Sequence, residues 1–186
     1  MRIIAGEYRS RRIETRDGNG TRPTLDKVRE AVFSSLGGIF SSGNILDLYA
    51  GSGANGLEAL SRGYDQAIFV DTSHEAIQMI QKNIRNLKCE DRTKVMHMND
   101  KKALKILSSE QRKFDLVYLD PPYASQHNDQ ILELLQSYEL LNPKAVVVIE
   151  SLKQDEFKNT YGTLKPYKEA TYGITRITYY RNEVEE

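Results

Sequence analysis

Asp120-Pro121-Pro122-Tyr123 follows directly on an apolar run, Leu116-Val117-Tyr118-Leu119. A carboxylate, two prolines and an aromatic ring in that order suit the methylation of a planar exocyclic amine. The lone pair of a nucleobase NH2 is delocalised into the ring, so the amine is a poor nucleophile. The Asp120 carboxylate and the backbone carbonyl of Pro121 are able to accept its two N–H bonds, which turns the lone pair toward an electrophile. Pro121 offers no backbone N–H of its own, and Pro122 stiffens the turn further. Tyr123 presents a flat face on which a base can stack, worth about 1–3 kcal/mol. Two prolines after an apolar run are also an ordinary way to end a strand, so the motif takes its chemical meaning from what lies upstream.

Upstream, Ile45-Leu46-Asp47-Leu48-Tyr49-Ala50 runs into Gly51-Ser52-Gly53-Ala54-Asn55-Gly56. Gly51, Gly53 and Gly56 form a G-x-G-x-x-G pattern, and Asp71 lies 20 residues beyond Gly51 at the end of the next apolar run. This spacing satisfies the dinucleotide fingerprint, so a nicotinamide-dependent oxidoreductase is a rival reading. Asp47 argues against it, because a carboxylate placed by the crevice repels a pyrophosphate. S-adenosylmethionine has no phosphate and carries an ammonium and a sulfonium, so the same carboxylate favours it. Asp71 serves the ribose hydroxyls under either reading. Asp100, after Met98-Asn99, is placed to accept from an adenine amine. The expected cofactor contacts are thus Asp47, Ala50, Gly51, Ser52, Gly53, Gly56, Asp71 and Asp100. Each of the first three strands carries an acid toward its carboxyl end and the fourth ends at Asp120, where open α/β sheets bind their ligands.

The elements that position these residues alternate. Apolar runs occupy 44–49, 67–71, 94–98, 115–119 and 144–150, with helical patterns between them. A helix is expected from just after Thr24, as N-cap, through Val28, Val32 and Leu36, with Gly37-Gly38 as its stop. The clearest helix spans Thr72 to Leu87: Thr72 and Glu75 read as a capping box, and Ile77, Ile80, Ile84 and Leu87 share one face. Another runs from about Asn128 to Leu141. Strands alternating with helices imply βαβ units and a parallel sheet covered on both faces. Lys165 to Thr171 and Ile174 to Arg181 break the rhythm and read as an antiparallel pair joined through Gly173. At the other end, Arg2-Ile3-Ile4-Ala5 and Arg11-Arg12-Ile13-Glu14 flank a turn near Gly6 as a small β-hairpin, followed by the flexible stretch Asp17-Gly18-Asn19-Gly20.

The 186 residues fit a single domain, with residues 1–22 as an arm-like extension. Lys+Arg and Asp+Glu balance at 26 each, so contact with nucleic acid has to be local or shared with another partner. One cysteine, Cys89, excludes a disulfide and a Cys-based zinc site and fits a reducing, cytoplasmic setting. The N-terminus has no signal-peptide core, and no apolar stretch approaches the roughly 20 residues of a membrane span. No metal and no membrane partner are expected.

Asp47-Leu-Tyr-Ala-Gly-Ser-Gly-Ala-Asn-Gly-Leu-Glu-Ala-Leu-Ser-Arg-Gly63, Phe69-Val-Asp71 and Asp120-Pro-Pro-Tyr123 together resemble the RsmD family of bacterial ribosomal RNA methyltransferases. Ile4-Ala-Gly6, Arg22-Pro-Thr24, Val28-Arg-Glu-Ala-Val-Phe33 and Tyr172-Gly173-Ile-Thr175 match as well, so the resemblance covers nearly the whole chain. It implies a class I, Rossmann-like methyltransferase fold of strand order 3-2-1-4-5-7-6. The implied reaction moves a methyl group from S-adenosylmethionine to the exocyclic N2 of a guanine in 16S ribosomal RNA. The implied substrate is an assembled or partly assembled small ribosomal subunit, which accounts for the neutral charge. In two places the chain departs from the family pattern: Asp71 stands where Glu is frequent, and Lys101-Lys102 follow Asp100 where a small residue is usual.

Six arginines fall in residues 1–22 against three acids. Arg9, Arg11, Arg12, Arg16 and Arg22 are the expected phosphate contacts of the RNA; the alternative is a solvated face. His74, His97 and His127 share no metal-ligand spacing and have no Ser or Cys partner. His74 reads as an exposed first-turn residue, His97 as a strand residue, and His127 as a possible neighbour of substrate. A non-catalytic ribosome-assembly binder with the same fold is the second reading, and intact cofactor acids beside an intact Asp-Pro-Pro-Tyr count against it.

Overall fold

The structure, a computed structural model, describes residues 1–16 and 23–184 and contains two compact units, Met1–Met98 and Asn99–Glu186. Arg22 and the stretch from Asp17 to Gly20 lie outside the described residues.

The first unit contains α1 (Pro23–Ser35), β1 (Asn44–Asp47), α2 (Ala54–Ser61), β2 (Gln66–Asp71), α3 (His74–Leu87), a 3-10 turn (Glu90–Arg92) and β3 (Thr93–His97). Its strands run parallel in the order β3-β2-β1. The apolar runs are the strand interiors: Ile45, Leu46, Ala67, Ile68, Phe69, Val70 and Met96 are buried. α1 starts at Pro23 rather than after Thr24, with proline in a helical position that needs no N–H. It closes as expected on the glycines: Gly38 N–H reaches Phe33 O (2.9 Å) and Gly37 N–H reaches Ser34 O (3.2 Å), a Schellman ending.

The start of α3 lies one residue beyond the expected capping box. Ser73, not Thr72, is the N-cap, and its hydroxyl accepts from Ala76 N–H (3.3 Å). The shift follows from Asp71, which takes Ser73 N–H on Oδ1 (2.9 Å) and so fixes the turn before the helix. Glu75 is left facing solvent beside Arg16 (3.4 Å). Ile77, Ile80, Ile84 and Leu87 are buried, as their periodicity requires.

The N-terminal hairpin is reduced to one antiparallel bridge, Arg2 with Arg12, and is packed into the first unit rather than standing off it. Ile3, Tyr8 and Ile13 are buried. The Glu58 carboxylate of α2 accepts Ile4 N–H (2.9 Å) and Ala5 N–H (3.2 Å), and Ser61 Oγ accepts Tyr8 N–H (2.9 Å). Gly6, at φ 87°, passes so close to α2 that a Cβ would lie 1.8 Å from Ser61 O.

The second unit contains α4 (Asp100–Ser109), β4 (Phe114–Leu119), a 3-10 turn (Tyr123–Ser125), α5 (Asn128–Ser137), β5 (Leu141–Leu152), β6 (Leu164–Tyr172) and β7 (Thr175–Asn182). Strand order is β4-β5-β7-β6, with β4–β5 parallel and β5–β7 and β6–β7 antiparallel. The antiparallel C-terminal pair is thus present, joined through Gly173. α5 ends four residues short of Leu141, since Glu139 (φ 53°) breaks the helix and Leu141 already belongs to β5. β5 begins earlier than 144 despite Pro143, because the β4–β5 register shifts between Phe114 and Leu116 and Lys144 takes a positive φ, an irregularity in which proline is tolerated. The runs β3-β2-β1 and β4-β5-β7-β6 are the consecutive parts of the strand order implied by the resemblance.

Candidate active site

The expected cofactor residues from Asp47 to Asp71 lie in the first unit, around the turn from β1 to α2. Asp47 ends β1 and is only 2% exposed. Its Oδ2 accepts Gly56 N–H (3.0 Å), so the carboxylate occupies the amino end of α2. A carboxylate at this helix terminus adds to the case against a pyrophosphate. The helix terminus that would bind a phosphate already holds a negative charge, and one of its N–H donors is taken. Gly56 is needed for packing: a Cβ there would meet the Phe69 ring at 2.3 Å. Gly53, at φ 85°, is the N-cap of α2, and Ala50 accepts its N–H (2.8 Å).

Asp71, at the end of β2, holds the loop from the other side. Its Oδ2 accepts Gly51 N–H (2.9 Å) while Oδ1 takes Ser73 N–H. A carboxylate offers about four lone-pair sites, so two remain for ribose hydroxyls. A Cβ at Gly51 would meet nothing within 4 Å, so the loop backbone is open to a ligand there. Asn83 of α3, buried, ties the glycine loop to the N-terminal segment: its Nδ2 donates to Ser52 O (2.9 Å) and Glu14 O (3.0 Å), and its Oδ1 accepts Glu14 N–H (2.8 Å). Sequence reasoning missed Asn83, and a lone Asn in a helix carries no signal that would find it.

Glu58 was also missed as a structural centre. It is fully buried and pairs with Arg29 (3.2 Å) and Arg62 (2.9 Å) in addition to holding Ile4 and Ala5. Its signal lay at α2, where Glu58 stands four residues before Arg62, just past the helix end. Of the expected phosphate contacts, Arg9 and Arg12 are exposed. Arg11 donates to Asn86 O (2.7 Å) at the end of α3, and Arg16 is a loose partner of Glu75. His74 is exposed, and His97 bonds Thr72 O (3.0 Å) at the ends of β2 and β3. Neither joins a catalytic arrangement.

The expected substrate residues of the Asp-Pro-Pro-Tyr turn, and Asp100, lie in the second unit. β4 delivers Asp120 to an exposed position; Pro121 is buried and Pro122 exposed. Tyr123, 40% exposed, opens the 3-10 turn, and its hydroxyl bonds Thr175 Oγ1 (3.2 Å) at the start of β7. That bond holds the hydroxyl end of a ring that stays part-exposed. Asp100 opens α4 behind its N-cap Asn99, and its Oδ2 meets His127 Nε2 at 2.5 Å. His127 is therefore the partner of a candidate cofactor acid and not an isolated neighbour of substrate. Among the described residues no His, Cys, Asp or Glu cluster is placed to hold a metal ion, and no helix is long and apolar enough to cross a membrane.

The chain resembles known proteins over nearly its whole length. YlbH of Bacillus subtilis is 36% identical over 97% of this chain and 98% of its own length. Ribosomal RNA small subunit methyltransferase D of Haemophilus influenzae is 34% identical over 98% of this chain and 94% of its own. The solved structure of the Escherichia coli protein yhhF superposes with a TM-score of 0.83 at 29% identity, covering 100% of this chain and 99% of that one. The fold is thus the Rossmann-like fold of S-adenosylmethionine-dependent methyltransferases. A family model described as conserved hypothetical protein 95 matches residues 1–181, and the chain belongs to that family, the RsmD family.

Proposed function

We propose that the protein transfers a methyl group from S-adenosylmethionine to the exocyclic N2 of a guanine in 16S ribosomal RNA, acting in the cytoplasm on the small ribosomal subunit. The observation that carries the reading is the Asp120-Pro121-Pro122-Tyr123 turn: an exposed carboxylate, a stiff backbone carbonyl and a half-open aromatic ring, all fixed by β4 and Thr175. The name of the Haemophilus influenzae relative supports the substrate class.

The residues fit the cofactor. Asp71 offers remaining acceptor sites to ribose hydroxyls, Gly51 leaves the loop open, and Asp47 disfavours a phosphate at α2. When bound, S-adenosylmethionine supplies an electrophilic methyl group on sulfonium. The chain's own part is orientation and electrostatics. Tyr123 stacks the extruded guanine. Asp120 and the Pro121 carbonyl accept the two N–H bonds of its amine and aim the lone pair. Accepting the methyl group would build positive charge on the amine nitrogen, which the Asp120 carboxylate would stabilise. One amine proton then leaves along the Asp120 hydrogen bond to water.

The test is incubation of the protein with isotopically labelled S-adenosylmethionine and small subunits lacking the modification, followed by nucleoside analysis. Labelled N2-methylguanosine in 16S RNA is the expected product. A label on another nucleoside, or no transfer with the cofactor bound, overturns the reading.

A further inference from the structure

His127 occupies the N-cap position of α5 but does not cap it; its backbone sits at φ −137°, ψ 51°, and its side chain makes no cap bond. The first N–H of α5 is met instead by Gln126, whose Oε1 accepts from Asn128 N (3.0 Å). The imidazole therefore takes no part in capping α5. It turns to Asp100, where Nε2–H donates to Oδ2 at 2.5 Å. The Asp100 side chain is only 9% exposed and the His127 side chain 35%. Asp100 Oδ1 accepts Lys101 N–H (2.7 Å). Capping of α4 is done by Asn99, whose side chain takes Lys102 N–H (2.9 Å), so the Asp100–His127 bond is not needed to begin that helix.

The place of this bond in the chain gives it meaning. Asp100 is the acid expected to accept from the adenine amine. His127 is the last residue of the segment that begins at Asp120, so the loop bearing Asp-Pro-Pro-Tyr is anchored by β4 at one end and by Asp100 at the other. Between these anchors the segment bonds through Ser125 N–H to Pro122 O (3.2 Å), Tyr123 to Thr175 and Gln126 Oε1 to Asn128 N–H. Next to His127, Asn128 is fully buried, and neither of its amide atoms has a hydrogen-bond partner. A buried amide left unmet in the first turn of α5 means that the segment, as it stands, has not found all its bonds.

We infer that His127 is a positioning residue that couples cofactor binding to the order of the substrate loop, through its bond to Asp100. This rests on the methyltransferase reading for Asp100's ligand. Adenine docking fixes the Asp100 carboxylate, the carboxylate fixes His127, and His127 fixes residues 121–127 for the incoming base. By linkage the effect is reciprocal, so an ordered loop also favours the cofactor.

The experiment is hydrogen exchange on the full chain, with and without saturating S-adenosylmethionine, read over the amides of 123–127, alongside cofactor affinity and single-turnover methyl transfer to small subunits. In the wild-type protein the cofactor slows exchange in this segment. His127→Ala is expected to lose that response and to weaken cofactor affinity by about tenfold, the scale of one hydrogen bond to a charged group. His127→Gln retains an N–H donor and should restore part of both. The double variant with Asp100→Asn should be no worse than the more affected single variant, because both cut the same bond. Lys101→Ala loosens a different tie between α4 and α5, the Nζ to Gln130 Oε1 bond (2.5 Å), and should leave the response intact. If His127→Ala unfolds, the same comparison is made between His127→Gln and Asp100→Asn. Wild-type affinity and a wild-type exchange response in the His127 variants overturn the inference, as does equal loss in Lys101→Ala. Cofactor-dependent protection without RNA methylation would sink the proposed function and leave the coupling standing.

Discussion

The Asp71 carboxylate bonds Gly51 and Ser73, and we propose that its remaining acceptor sites take ribose hydroxyls. Asp71→Ala should therefore weaken S-adenosylmethionine binding by roughly 1.5–3 kcal/mol, the scale of hydrogen bonds to a charged group. Calorimetry on the folded variant checks this, and unchanged affinity removes the ribose role. Asp71 is singled out in the sequence by its distance to Gly51, and Asp120 by its motif. Asp47 was legible as important, but its direction was not: whether a strand-end acid faces a ligand or the neighbouring helix depends on where that helix starts. His127 was weighed as a neighbour of substrate because its partner, Asp100, lies 27 positions away and no local pattern links them.

At the scale of elements, the N-terminal segment is the largest departure. Its arginines read as an arm, yet Ile3, Tyr8 and Ile13 belong to the core of the first unit, and Glu58 receives its backbone. The strands and helices themselves were legible in hydrophobic period, and their ends were less so because single bonds such as Asp71 to Ser73 decide them. Glu58→Ala strands two buried guanidiniums and two N–H groups. It should cost about 3–5 kcal/mol, the range for breaking a buried ion pair by removing one partner. Urea denaturation measures it, and a loss below about 1 kcal/mol, the level of an exposed pair, would show that the cluster carries little. Arg9 and Arg12 are exposed and outside the core, so Arg9→Ala with Arg12→Ala isolates the RNA role that a truncation would confound with unfolding. That double variant should keep its stability and lower the salt dependence of subunit binding by about one to two in slope. An unchanged slope means these arginines touch no phosphate.

For the molecule as a whole, burial sets how the protein responds to alkali. Desolvation pushes the Cys89 thiol up from 9.0 to about 11, with Arg92 partly opposing it, and pushes Tyr180 from 10.0 to about 12. Tyr161 is raised by burial and by its bond to Asp129, and Tyr8 and Tyr167 are raised chiefly by burial. The folded state holds these protons more tightly than the unfolded chain. The resulting stabilisation is complete below pH 9 and is lost as pH climbs toward 11. The urea midpoint should fall over that window, and fall less steeply in Cys89→Ala; equal slopes would contradict the thiol's part.

The central claim is that Asp120 holds the amine on which methyl transfer occurs, and single-turnover transfer to small subunits by Asp120→Ala tests it most directly. Asp120 acts as charge develops on nitrogen, so the chemical step should slow by roughly 100-fold or more, as when one preorganised transition-state partner is removed. S-adenosylmethionine affinity should stay at the wild-type value. Transfer at the wild-type rate by the folded, cofactor-bound variant would contradict the account.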